Sequence, residues 1–113
     1  MKRWIHASEI VLNPDRVIEE VTRFKKLNYP DEMTIDKSLY YKELSSMCDW
    51  IINACEEADN VPVDEIRRRL EASFNADYDI GRIDEARACE DLLNFWNDLT
   101  ENGYFNEKMD SHI

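Results

Sequence analysis

The sequence predicts an all-α fold: a single compact bundle of about four amphipathic helices. Only two glycines and three prolines occur among the 113 residues, so long segments lack the residues that break helices. Apolar residues in these segments recur at spacings of three and four, which is the period of one helix face. The connections between the segments are short, and short connections place successive helices antiparallel.

The first helix is predicted over about residues 14–27. Asn13 can accept a hydrogen bond as the N-cap, and Pro14 suits the first helical position because its missing N–H is not needed there. The apolar stripe consists of Val17, Ile18, Val21 and Phe24. Pro30 ends the helix because it restricts the preceding residue. Upstream, Lys2 to Ala7 fits a short extended segment or a packed arm.

The second and third helices follow from two further apolar stripes. The second helix, over about 36–58, is the expected central helix and carries Tyr40, Leu44, Met47, Cys48, Ile51, Cys55 and Ala58. The third helix begins at Val63, and its narrower stripe adds Ile66, Leu70 and Phe74. A loop is predicted over about 75–81.

The fourth helix is predicted over about 82–102. Its expected buried residues are Ala86, Cys89, Leu92, Leu93, Trp96 and Leu99. Gly103 suits the position after the last helical residue, where a left-handed backbone is common. Asp77 or Asp79 is expected to cap the start of this helix, with Gly81 supplying the turn.

Composition defines one acidic helical domain over residues 1–113. The hydrophobic fraction of 43% excludes a disordered acidic tail, although the net charge is −11. No apolar run approaches the roughly 18 residues that span a bilayer, so no membrane contact is expected. Three cysteines, an odd number without a C-x-x-C pair, suit reduced and mostly buried thiols and a cytoplasmic location.

Negative charge is concentrated in the last two thirds of the chain. Residues 1–35 have no net charge, whereas residues 36–113 carry −11. Asp84, Asp91 and Asp98 are seven residues apart, so they are predicted to form one stripe on the fourth helix. Further carboxylates on the polar sides of the second and fourth helices are Glu43, Asp49, Glu56, Glu57, Glu90 and Glu101. Such a surface either keeps the protein solvated or attracts a basic partner, and it repels nucleic acid.

Two other features bear on binding. Trp50 lies at the edge of the apolar face of the second helix, where it either packs against a neighbouring helix or anchors a partner. Arg67, Arg68 and Arg69 point about 100° apart on a helix, so local pairing with nearby acids is expected. The residues predicted to contact a partner are Asp84, Asp91, Asp98, Glu90, Glu101, Glu56, Glu57 and Trp50.

Enzymatic chemistry has little support in the sequence. His6 and His112 lie near the two termini without a neighbouring nucleophile pattern, and no glycine-rich phosphate loop occurs. The segment from Asn75 fails the calcium-loop register, because its glycine falls at position 7 and Ala86 occupies position 12. We expect no catalytic residue, no metal and no cofactor.

One weaker pattern supports a third hypothesis, a carboxylate-metal hydrolase. Glu56-x-x-Asp59 and Asp98-x-x-Glu101 resemble the paired carboxylates of helical nucleotide pyrophosphatases. Both pairs are predicted at helix ends on solvent faces.

The opening Met1-Lys2-Arg3-Trp4-Ile5-His6-Ala7-Ser8, ahead of a short acidic helical domain, resembles small reading frames of phages and mobile elements. In size and charge the chain is similar to anti-CRISPR proteins and other phage inhibitors. The resemblance implies a non-enzymatic inhibitor that occupies the basic nucleic-acid groove of a partner, such as a CRISPR effector or a nuclease. The alternative is an acidic regulatory or scaffolding module in which aromatic residues at the core edge make the contact.

Overall fold

The structure, a computed structural model, describes residues 13–103, with side chains through residue 100. Four α-helices follow one another: α1 (Pro14–Leu27), α2 (Ile35–Glu56), α3 (Val63–Asp79) and α4 (Ile83–Asn97). A π-helical segment, Asp98–Gly103, continues α4. The predicted all-α bundle of four helices is confirmed, and the predicted N-terminal segment lies outside the described residues.

Local capping signals start the first two helices. The side chain of Asn13 accepts a hydrogen bond from the Asp15 N–H at 2.9 Å, with Pro14 in the first turn, as predicted. Thr34 caps α2 by accepting from the Lys37 N–H at 3.2 Å. Each side chain satisfies an N–H that would otherwise lack a partner at a helix start.

The core forms where α4 packs against α2 and α3, with α1 covering α2. Leu44 and Leu92 are fully buried, as predicted. Trp96 is also fully buried, and its indole N–H donates to the backbone carbonyl of Val63 at 3.2 Å. The other fully buried large side chains include Val21, Cys48, Ile51, Ile66, Leu70 and Cys89.

The end of α3 differs from the prediction. The helix continues through residues 75–79, where a loop was expected, and the turn to α4 is confined to residues 80–82, with Gly81 at φ +80°. Neither Asp77 nor Asp79 caps α4: the N-cap position belongs to Arg82 and has no side-chain cap. Asp77 is instead buried in the last turn of α3, because contacts with other helices hold its side chain.

The end of α4 also differs from the prediction. Regular α-helical hydrogen bonding stops at Asn97, and the chain goes on as a π-helix to Gly103. The Thr100 hydroxyl donates to the Trp96 carbonyl at 2.8 Å, and Arg67 of α3 donates to the side chains of both Asn97 and Thr100. These contacts hold the end of α4 against the start of α3.

The two ends of the bundle are built from different helix termini. The starts of α2 and α4 line one cavity, and a short turn joins the end of α3 to the start of α4, so these termini lie together at what we call the turn end. The end of α2, the start of α3 and the π-helical segment meet at the opposite end, which we call the terminal end. The described chain begins and stops there.

No helix within residues 13–103 combines the length and apolar character that crossing a bilayer requires.

Truncation of a central leucine tests the bundle. Leu44→Ala or Leu92→Ala is expected to cost about 2 to 5 kcal/mol of unfolding free energy, because each leaves a cavity in the core. Leu39→Ala is the control, since Leu39 is 39% exposed. Urea unfolding monitored by circular dichroism gives all three values. An unchanged midpoint for Leu44→Ala would contradict the assigned core.

Candidate functional site

The terminal end exposes a group of carboxylates that we call the acidic end: Glu56, Glu57, Asp59, Asp64, Glu65 and Asp98. Glu56 and Glu57 lie where α2 stops, and Asp98 where α4 stops. Neither helix has a basic residue in its last turn. Because a helix carries partial negative charge at its C-terminus, the carboxylates of Glu56 and Glu57 lie where negative charge is disfavoured.

The stripe of aspartates predicted on α4 is not a continuous solvated face. Asp98 is exposed, whereas Asp84 and Asp91 are half-buried against α2. The hydroxyl of Tyr40 donates to the Asp91 carboxylate at 2.6 Å. A cavity of about 230 Å³ separates the two helices here, lined by Asp36, Lys37, Tyr40, Asp84, Arg87 and Asp91. Asp91 therefore helps to join α2 and α4, and Asp84 lines the cavity between them.

The remaining predicted contact residues have mixed positions. Glu90 is exposed on α4, and the side chain of Glu101 lies outside the described part of the chain. Trp50 is 36% exposed, and the Arg69 guanidinium from α3 lies 5.7 Å from the centre of its ring. Trp50 thus packs against a neighbouring helix while keeping an exposed edge.

Local pairing within the arginine cluster is confirmed for Arg67, which donates to Asp64 at 2.8 Å.

A second candidate site was not predicted: one side chain from each of three helices meets at the turn end. Glu43 of α2, Asp77 of α3 and Cys89 of α4 each offer one metal-ligating atom, and these atoms lie within 4.8 Å of one another. The Cys89 Sγ is 3.7 Å from the Asp77 carboxylate and 3.8 Å from that of Glu43. We call this group the three-helix cluster.

Arg82, in the α3–α4 turn, supplies positive charge beside the three-helix cluster. Its Nε lies 3.0 Å from a carboxylate oxygen of Glu85 and 3.8 Å from one of Asp77. Glu85 is itself buried, at 8% exposure. A single guanidinium therefore faces two buried acids.

The third acid near Arg82 is Glu43, and it is partly protonated at neutral pH. Burial, together with the hydrogen bond and negative charge of Asp77, raises the pKa of Glu43 to about 7, although Arg82 opposes the shift. Burial and both carboxylates raise the pKa of the Cys89 thiol to about 12. The thiol thus stays protonated at neutral pH. A metal ion here would have to displace both the thiol proton and the Glu43 proton.

The sequence contained a signal for the three-helix cluster. Glu43 lies three residues after Tyr40 and four before Met47, at the flank of the α2 stripe. Asp77 lies seven residues after Leu70, which continues the α3 stripe by two turns. The sequence predicts Glu43 on the polar side of α2 and Asp77 in a loop, so it does not predict that these two residues meet.

Comparisons with protein-family models, curated proteins and solved structures found no match to this chain.

The three thiols are expected to resist modification in the folded protein. Cys48, Cys55 and Cys89 are unpaired and at most 1% exposed, and burial raises their thiol pKa values to about 12, 11 and 12. A thiol-labelling assay should modify all three only after denaturant is added. Rapid labelling of all three in the native state would contradict their burial.

Glu43 is expected to make stability depend on pH. Its pKa of about 7 lies above the ordinary value of 4.5, so folding favours the protonated form. The contribution of Glu43 to the free energy of unfolding is complete below about pH 4.5 and is lost as the pH rises through 7. Glu43→Gln keeps a neutral hydrogen-bonding group, so its stability relative to wild type should increase from about pH 5 to pH 8.

Urea midpoints across this pH range measure the difference. The exposed Glu90→Gln is the control, and its midpoint should follow that of wild type. Parallel profiles for wild type and Glu43→Gln would show that Glu43 titrates normally.

Proposed function

We propose that this protein is a non-enzymatic acidic interaction protein. It binds the basic surface with which another protein, such as a nuclease or a CRISPR effector, holds nucleic acid, and it thereby blocks that surface. The observation that carries the proposal is the acidic end, where Glu56 and Glu57 lie at the C-terminus of α2 without a basic residue in its last turn.

Electrostatics explains why this end favours a cationic partner. Glu56 and Glu57 face both the negative end of α2 and each other's charge. A lysine or arginine from a partner would offset both repulsions. A groove that binds phosphate groups supplies such cations. The net charge of −11 adds long-range attraction, which speeds encounter with a basic surface.

Asp84 and Asp91 contribute less to this proposal than the exposed Glu90. Asp91 already accepts a hydrogen bond from Tyr40, and both half-buried aspartates lie beside Lys37 and Arg87. Their charges are partly offset within the protein. We therefore place the partner contact at the terminal end and on the exposed side of α4.

The alternative, a regulatory or scaffolding module that binds through aromatic residues, is favoured by the exposed edge of Trp50. Arg69 already covers part of the ring, which reduces the area left for a partner. Ionic strength separates the two functions, because carboxylate contacts weaken with salt and an aromatic contact does not.

Removing charge from the acidic end tests the proposal. The assay is DNA cleavage by a panel of purified nucleases and CRISPR effector complexes, with the protein as inhibitor. Glu56→Gln/Glu57→Gln should weaken inhibition about tenfold, mainly through slower association, at about 50 mM salt and less at about 300 mM. The variant should fold at least as stably as wild type, since repulsion at the end of α2 is relieved.

The matched control is Asp31→Asn/Glu32→Gln, which removes the same charge from the exposed α1–α2 connection. It should retain inhibition. An equal loss in both variants would show an effect of net charge alone, and absence of inhibition across the panel would contradict the blocking of a nucleic-acid groove.

A further inference from the structure

We infer that the turn end is a docking surface for a cationic amphipathic helix of a partner protein. This surface lies at the opposite end of the bundle from the acidic end, so the inference goes beyond the proposed function.

Exposed apolar side chains are concentrated at the turn end. Of the nine large apolar side chains exposed within residues 13–100, six belong to the start of α2, the end of α3 and the start of α4: Met33, Ile35, Leu39, Tyr78, Ile80 and Ile83. Ile35 is 80% exposed and Ile80 is 70% exposed. Single exposed apolar residues are ordinary on a protein surface, and we infer a binding surface here because six of these nine side chains lie at one end.

The charges around these side chains favour a basic partner. Asp31, Glu32, Asp36 and Asp79 are all exposed in the same segments. The helix α3 ends here without a basic residue in its last turn, which adds partial negative charge.

Carboxylates outnumber the cations at this end. Arg82 pairs with Glu85. Lys37 and Arg87 border the cavity that Asp36, Asp84 and Asp91 also line. The net charge of this end is therefore negative. An apolar centre with an acidic rim complements a helix that has leucine-like residues on one face and lysine or arginine beside them.

A second copy of the chain fits less well as the occupant. It would bring an identical acidic rim, with a net charge of −11 on each copy, against this one.

The experiment uses the full chain and a fluorescein-labelled peptide of about 14 residues, four helical turns, with leucine at one face and lysine elsewhere. A scrambled peptide of the same composition reports attraction by charge alone. Fluorescence anisotropy at about 50 and 300 mM salt gives the affinities, and the higher salt suppresses contacts with the acidic end.

Wild type should bind the amphipathic peptide about tenfold more tightly than the scrambled one, and this preference should persist at about 300 mM salt, where apolar contact dominates. Ile35→Ser/Ile80→Ser should abolish the preference. Leu27→Ser is the matched control, because Leu27 is 72% exposed but lies outside the turn end, and it should bind as wild type does. Ile83→Ser is a second, independent variant that should also weaken binding.

Three results would overturn the inference. Equal affinity for both peptides would show charge attraction only, and equal binding by wild type and Ile35→Ser/Ile80→Ser would place the contact elsewhere. A wild-type dimer in sedimentation that the same double variant dissociates would make a second copy the occupant. The variant Glu56→Gln/Glu57→Gln should leave the peptide preference unchanged, so this test is separate from that of the proposed function.

Discussion

Burial of the apolar face of α4 is the constraint that arranges the other helices. Cys89, Leu92 and Trp96 are fully buried and form one stripe at spacings of three and four. The helices α2 and α3 flank them, and α1 reaches α4 through the stacking of Phe24 on Phe95, with ring centres 4.3 Å apart. The two ends of the bundle follow from this arrangement, because each end gathers the termini of the helices that cover α4.

The two ends have opposite character although the same helices build them. At the terminal end carboxylates continue past the last turns of α2 and α4, whereas at the turn end apolar side chains surround the turn between α3 and α4. The domain thus concentrates carboxylates at one end and exposed apolar side chains at the other.

Local signals predicted the elements that depend on neighbours in sequence. Asn13, Pro14 and the stripe of α2 placed the first two helices within about two residues of their observed ends. The missed features depend on residues far apart in the chain. Asp77 fits a cap by type, but contact with Cys89 holds it in a helix, and Asp91 meets Tyr40 across 51 positions. Residue spacing alone does not show which edge of a stripe a neighbouring helix will cover.

The turn at Gly81 has a consequence for the order of folding. With only residues 80–82 between them, α3 and α4 need little loss of chain entropy to meet, and backbone hydrogen bonds from Gly81 to Tyr78 and from Arg82 to Asp77 close the turn. Contacts between neighbours in sequence form early, so we expect this hairpin to be the nucleus on which α2 and then α1 assemble. The carboxylate of Asp77 would meet its α2 partner only in that later step.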